Sequence, residues 1–540
     1  MRALFFIPLV LQFVFGACVS KTNQQSSSLS GAMMKVTALN VPVLVEKNEN
    51  RILKLIVNEE NTGKSLKSVK LYFTQQSLIN DLEEIEITYL DNEEEKVFGS
   101  SIVEHQSTTI IGSKVLDTGM NSFSISLNVK NTIDISRRVA LERVECTYGD
   151  GQMYQQSFED DECEWRIGNV VRAANQDNCD TYRIPGMITT NAGTLIAVYD
   201  NRYNNSKDLQ EDIDVGMSRS TNGGQTWEPM KVIMDQGEWG GLSQQLNGVG
   251  DPCVLYDYHT NTIWVAALWL HGSEPKKMAW WDSDPGIKPG ETGQFLVAKS
   301  TDDGLTWSET MNITEQIKDP AWQLLLQGPG RGITLEDGTL VFPAQFKADI
   351  GEKALDGGPY TCHSTIVYSK DQGKTWKIGT GAKSNTTEAQ VAILSDGSLM
   401  LNMRDDRNRK DKTETNGRAV SITKDLGQSW ERHVTSNSSL QESNCMASLI
   451  SAPLQIMGET KHVIFFSNPN NKHKRTNMTI KASLDDGMTW PYELELNETG
   501  GFGYSCLSMV DNETIGILYE GTKELYFQKV EVSEILKSQN

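Results

Sequence analysis

The chain reads as an all-β protein, a six-bladed β-propeller preceded by a smaller N-terminal β-sandwich. Three observations carry that expectation. One octet recurs five times in the C-terminal two-thirds. The region before it holds short alternating strands and no octet. Helix signals are weak throughout.

The octets run Ser220 to Trp227, Ser300 to Trp307, Ser369 to Trp376, Thr423 to Trp430 and Ser483 to Trp490. Their skeleton is Ser/Thr-x-Asp/Asn-x-Gly-x-Ser/Thr-Trp. The Asp or Asn and the leading hydroxyl residue can bond nearby amides and close a compact turn. Glycine accepts a positive φ, and the tryptophan supplies apolar bulk for burial. These turns are folding devices, with no catalytic duty. Their starts lie 80, 69, 54 and 60 residues apart, which suits a four-stranded blade plus loops rather than helix-pair repeats. From Arg183 to the end there are 358 residues, or about 60 for each of six units. Glu524 to Val532 reads as a last strand, with Leu525, Phe527 and Val530 inward, that completes the first blade and closes the ring.

The N-terminal sandwich is expected over 36–158. Ile85, Ile87 and Tyr89 alternate with polar residues, as do Phe123, Ile125, Leu127 and Val129. No aromatic cluster marks a sugar-binding face there. The acidic stretch Glu159 to Glu164 leads into the propeller domain, 159–540.

Residues 1–17 read as a signal peptide, because the apolar run Leu4 to Ala17 behind Arg2 is too short to span a bilayer. Phe15-Gly16-Ala17-Cys18 resembles a bacterial lipobox. On that reading Cys18 is the lipidated first residue of the mature chain and 18–35 is a polar, serine-rich tether. Ordinary cleavage with Cys18 unmodified is the alternative. The other seven cysteines form no Cys-x-x-Cys pair, so no zinc site is expected; their odd number and wide spacing do not form a disulfide framework, and one or two bridges of unassigned pairing stay open. A formal charge of −21 argues against nucleic acid and against polybasic membrane contact. Any anionic substrate must therefore meet a local cluster of positive charge.

Tyr182-Arg183-Ile184-Pro185 stands before the first octet, and Asp200-Asn201-Arg202-Tyr203 follows the next strand. With five octets downstream, this order resembles the bacterial exo-α-sialidases, retaining glycoside hydrolases built on a six-bladed propeller. The resemblance covers roughly Asp180 to the C-terminus. It implies three arginines that grip a sialic acid carboxylate. They match Arg183, Arg404 in Leu401-Asn402-Met403-Arg404, and Arg475 in the stretch Asn470 to Arg475. Planar guanidinium groups suit that task, since each can give a carboxylate two parallel charge-assisted bonds.

The resemblance further implies a tyrosine nucleophile, Tyr504 in Phe502-Gly503-Tyr504-Ser505, and its base partner, Glu388 in Thr387-Glu388-Ala389. A neutral phenol suits an anomeric carbon that bears a carboxylate, because an anionic nucleophile would be repelled. The general acid is expected on a loop after Arg202. Asp208 is the choice, with Asp212 and Asp214 as rivals, and its working pKa should be raised. Glu520 would orient Arg183, while Asp251 and Arg202 would line the sugar pocket. Trp280 and Trp281, in a long insertion, either stack on the sugar beyond the cleaved bond or simply pack.

The expected activity is exo-sialidase hydrolysis of sialylated glycoproteins, glycolipids or oligosaccharides, without metal or organic cofactor. Transfer to another sugar, release of an anhydro product, and a non-catalytic sialic-acid lectin are the alternatives. The protein is expected as a monomer, exported and lipid-anchored in the periplasm or at the outer surface.

Overall fold

The computed structural model describes residues 32–60, 63–159 and 162–537. The expected signal peptide, Cys18 and most of the expected tether lie outside them. The chain is almost entirely β, with only four-residue α-helices among the described residues.

The N-terminal region is two sheets around one apolar core. Ala32–Ala38, Arg51–Glu59, Gly119–Val129, Leu82–Asp91 and Glu94–Ile102 form the first sheet in that order. Its first strand takes in residues 32–35 of the expected tether. The two alternating runs seen in the sequence are direct neighbours: Ile85 faces Leu127, Ile87 faces Ile125 and Tyr89 faces Phe123. Period-two alternation puts those residues on one face, and they bury against Leu66, Val69, Leu71 and Val144 of the opposing sheet.

Six further units follow in chain order, each a largely antiparallel meander; five are separate sheets, and the sixth is continuous with the second N-terminal sheet in one nine-stranded sheet. They open with strands Thr181–Thr189, Asn247–Asp257, Leu324–Gln327, Thr386–Ile393, Ser448–Ile456 and Ser505–Met509. Separate apolar cores lie between first and second, second and third, third and fourth, fourth and fifth, and fifth and sixth sheets. The core between the sixth and the first is continuous with that of the N-terminal region.

Every octet is the turn from the third to the fourth strand of its sheet. In all five, the glycine N–H donates to the leading hydroxyl at 2.9 Å. The carboxylate or amide oxygen of the third residue accepts the N–H of the seventh at 2.9–3.0 Å. The glycines hold φ of 76–84°, and at Gly224 a Cβ would fall 1.9 Å from the Phe527 ring. The tryptophans insert between neighbouring sheets; Trp227 meets Phe527 edge-on at 5.3 Å.

The sixth sheet has no octet because its fourth strand comes from the other end of the domain. Glu164–Arg172 pairs with Leu525–Glu531 through Gly168 to Arg172, while Glu164 to Arg166 pair with Arg138 to Ala140 of the N-terminal region. This corrects the sequence expectation. Leu525–Glu531 belongs to the sixth sheet, not the first, and an upstream strand is added to it. Leu525 and Phe527 face one core, whereas Val530 faces the other, as odd spacing along a strand requires. The seven described cysteines are all buried and unbridged.

Candidate active site

Three opening strands carry irregularities where site residues stand. Register shifts between Arg183 and Gly186, between Gly250 and Cys253, and between Thr386 and Ala389. Such bulges re-aim side chains, here Arg183, Asp251 and Glu388. Ile184 sits at φ 58°, an uncommon conformation for a β-branched residue. Its N–H is held by Glu520 Oε1 at 2.9 Å, and Pro185 after it has no N–H to lose from the ladder.

These strands bring the expected residues to one place. The Tyr504 hydroxyl donates to Glu388 Oε1. Arg404 Nη1 donates to Glu388 Oε2 at 2.5 Å and to Tyr504 Oη at 3.1 Å. The Arg183 and Arg475 guanidinium carbons lie 5.3 and 5.7 Å from the Tyr504 ring centre. All three arginines therefore surround one phenol. Tyr504 is 5 % exposed and packs on Ile184, Cys445 and Met446. Burial, then the Glu388 carboxylate, push its pKa well above the usual phenol range, against the pull of Arg404 and Arg475. It is a neutral phenol at rest.

Glu520 is the post around which the site is built. Its two oxygens accept Arg183 Nε at 3.2 Å, the Ile184 N–H at 2.9 Å and the Tyr504 N–H at 2.8 Å. Arg202 is buried and bound by Asp200 through Nε at 3.0 Å and Nη2 at 2.8 Å. Asp251 joins the same group, its N–H donating to Asp200 Oδ1 at 2.8 Å. Burial and the adjacent Asp200 push the Asp251 carboxyl well up, against Arg202.

Asp208 stands at the mouth, its side chain 57 % exposed. Its Oδ1 accepts Arg183 Nη1 at 2.7 Å and Arg202 Nη1 at 2.5 Å. The raised pKa expected of a general acid is not what the structure shows. Burial among protein atoms pushes the carboxyl up, but Arg202 and Arg183 outweigh it and bring the pKa down to about 2.

The rivals stand apart. Asp212 accepts Gln244 Nε2 at 2.7 Å. Asp214 accepts the Tyr203 hydroxyl at 3.0 Å, and burial plus the Asp235 carboxylate raise its pKa to about 7. Trp280 packs on Leu268, Leu324 and Leu326. Trp281 is 47 % exposed, and the buried Lys347 ammonium lies over both indoles, 4.2 and 4.7 Å from the ring centres.

Two contributors escaped the sequence reading. Asp200 aligns Arg202; the signal available was a charged pair ending the apolar strand Leu195–Arg202. Asn444, at φ 61°, accepts Arg404 Nη2 at 3.1 Å on its side chain and Arg475 Nη2 at 3.3 Å on its carbonyl. Nothing in its local sequence announces that. Among the described residues, no three His, Cys, Asp or Glu side chains gather as a metal site.

Comparison with known proteins agrees with this geometry. The profile of the N-terminal domain of BNR-repeat neuraminidase matches residues 32–152, and that of the BNR repeat-like domain matches residues 184–500. A sialidase of Bacteroides fragilis (strain YCH46) is 43 % identical, over 93 % of this chain and 95 % of the relative. A sialidase of Paraclostridium sordellii is 30 % identical over 66 % of this chain and 85 % of its own. Among solved structures, Hadza microbial sialidase Hz136 superposes with a TM-score of 0.83 at 39 % identity, covering 93 % of this chain and all of that one. The chain belongs to the BNR-repeat neuraminidase, or sialidase, family.

Proposed function

We propose that the protein is an exo-sialidase, hydrolysing terminal α-linked sialic acid from glycoconjugates with retention through a covalent bond to Tyr504. One observation carries this reading: a buried phenol bonded to Glu388 and ringed by Arg183, Arg404 and Arg475. The six units, with an apolar core between each consecutive pair and another between last and first, support a six-bladed propeller whose opening strands bear the site.

The arginines hold the substrate's carboxylate and so set the anomeric carbon that bears it beside Tyr504. The Tyr504 oxygen attacks that carbon as Glu388 takes its proton, and the glycosidic C–O bond breaks as Asp208 protonates the leaving oxygen. Water then attacks the same carbon, the bond from that carbon to the Tyr504 oxygen breaks, Asp208 accepts the water's proton, and Glu388 returns a proton to the Tyr504 oxygen. A tyrosine nucleophile is a recognised sialidase departure from the two-carboxylate scheme. Arg183 Nη1 cannot serve Asp208 and a substrate carboxylate equally. The incoming anion loosens its hold on Asp208 and lets that carboxyl take up the proton it must donate. Asp251 and Arg202 contact the sugar's hydroxyl or amide groups. Export by the apolar leader, with anchoring through Cys18, places this activity outside the cytoplasm.

Tyr504→Phe is the test. Turnover of a fluorogenic sialoside is expected to fall by about three orders of magnitude or more, in line with loss of a nucleophile. The melting temperature and the binding of a dehydrated sialic acid analogue should stay close to wild type. Near-normal hydrolysis by that variant would remove Tyr504 from the chemistry.

A further inference from the structure

The three arginines around Tyr504 are not equally occupied. Arg183 is paired with Glu520 and Asp208, and Arg404 with Glu388. Arg475 has no carboxylate partner among the described residues; it bonds the Phe502 and Asn444 carbonyls at 2.7 and 3.3 Å. A cavity of about 180 Å³ lies beside it, walled by Arg475, Glu520, Thr499, Tyr526, Glu524 and, from the N-terminal region, Lys47.

Lys47 Nζ donates to Glu524 Oε2 at 2.7 Å and meets Tyr526 Oη at 2.5 Å. The Tyr526 hydroxyl donates to the same Glu524 oxygen at 2.5 Å. The loop presenting Lys47 is closed by the buried Asn50, which accepts the Leu44 N–H at 2.9 Å and donates to the Leu44 and Lys47 carbonyls at 3.0 and 3.1 Å. Glu524 ends the hairpin turn after Glu520. That turn also accepts the Phe502 N–H through Gly521 and the Tyr182 N–H through Lys523, each at 3.1 Å.

We propose that Lys47 is a positioning residue for catalysis: the N-terminal domain uses it to hold Glu524 away from Arg475, keeping that guanidinium free for the substrate's carboxylate. Without the ammonium, Glu524 keeps only the Tyr526 hydroxyl as a partner and lines the same small cavity as Arg475, which has no carboxylate of its own. Opposite charges across a partly desolvated space attract strongly, so Glu524 would compete with the substrate for Arg475. This rests on the reading that Arg475 binds that carboxylate.

The test is steady-state kinetics on Lys47→Met, Glu524→Gln and the double variant of the full chain, with melting temperatures as a control. Lys47→Met is expected to raise KM for a sialoside about 3- to 10-fold with little change in kcat, as loss of uniform binding does. The double variant should return KM to near wild type, and Glu524→Gln alone should leave it there. A role as interdomain glue predicts the reverse, a double variant no better than the single. If Lys47→Met does not fold, Lys47→Gln, polar but without the charge, carries the same expectation. A normal KM in the Lys47 variant, or no rescue by Glu524→Gln, overturns the proposal. Arg475→Ala separates the two readings. An unchanged KM there overturns carboxylate binding by Arg475 and this inference with it. A raised KM there beside a normal Lys47 variant overturns this inference alone.

Discussion

On the proposed function Arg183 has two tasks, and Asp208 bears the consequence. Its carboxylate is held ionised by Arg183 and Arg202, with a pKa near 2 rather than the usual 3.8. A depressed folded-state pKa adds stability that is present above about pH 4 and is lost as pH falls toward 2. Binding of a carboxylate ligand to Arg183 removes part of that hold, so the Asp208 pKa rises and protons are taken up. Calorimetry at pH 5 in buffers of differing ionisation enthalpy should show net proton uptake when a dehydrated sialic acid analogue binds. Asp208→Asn should abolish that uptake; an identical proton count in both proteins would refute the linkage. The gathering of Tyr504, Glu388 and the three arginines in one place was legible because each sits in a motif whose order along the chain is informative. The ionised state of Asp208 and the double duty of Asn444 were not, because both depend on side chains far apart in sequence.

At the scale of the element, the octets are the most legible feature and the bulges the least. An octet writes its hydrogen bonds locally, between residues two and four apart, so its residue types reveal the turn. Asp371 shows the pattern: it accepts the Thr375 N–H at 2.9 Å, the Thr375 hydroxyl at 2.6 Å and the Ser369 hydroxyl at 2.9 Å. Asp371→Ala removes all three. It should lower the unfolding free energy by about 1–3 kcal/mol, read as a shift in urea midpoint at constant m-value, with kcat/KM unchanged. A bulge, by contrast, is a disagreement between two strands about register. Neither strand alone records it, and only the Ile-Pro and Asp-Pro steps at 184–185 and 251–252 hinted that the ladder breaks there.

Across the whole molecule, the sequence predicted six units from five octets; among the described residues five stand as separate sheets and the sixth is one end of a nine-stranded sheet shared with the N-terminal region. The missing sixth octet has a physical reason: the turn it would make is replaced by a strand from elsewhere. Which strand that is could not be read from composition, because Glu164–Arg172 looks like any other short apolar run. The same strand ties the two regions together, pairing with Leu525–Glu531 and also with residues 138–140 and Val43–Val45 of the N-terminal region. Deleting residues 1–172 should therefore leave a C-terminal fragment with an exposed edge in its last sheet. That fragment is expected to be insoluble or to lack a cooperative melt, whereas one beginning at residue 163 should be markedly more soluble. Equal yield and melting of the two fragments would contradict this.

The strand that finishes the sixth sheet is also among the first of the larger domain to be synthesised, and its partner Leu525–Glu531 is among the last. At a ribosomal pace of about 5–20 residues per second, the early strand waits roughly 20–70 s for its mate. Throughout that interval it is a ready template for wrong pairing. The N-terminal region, already gripping Glu164 to Arg166, then serves the nascent chain as a built-in holdfast, shielding one half of the seam until its other side is made.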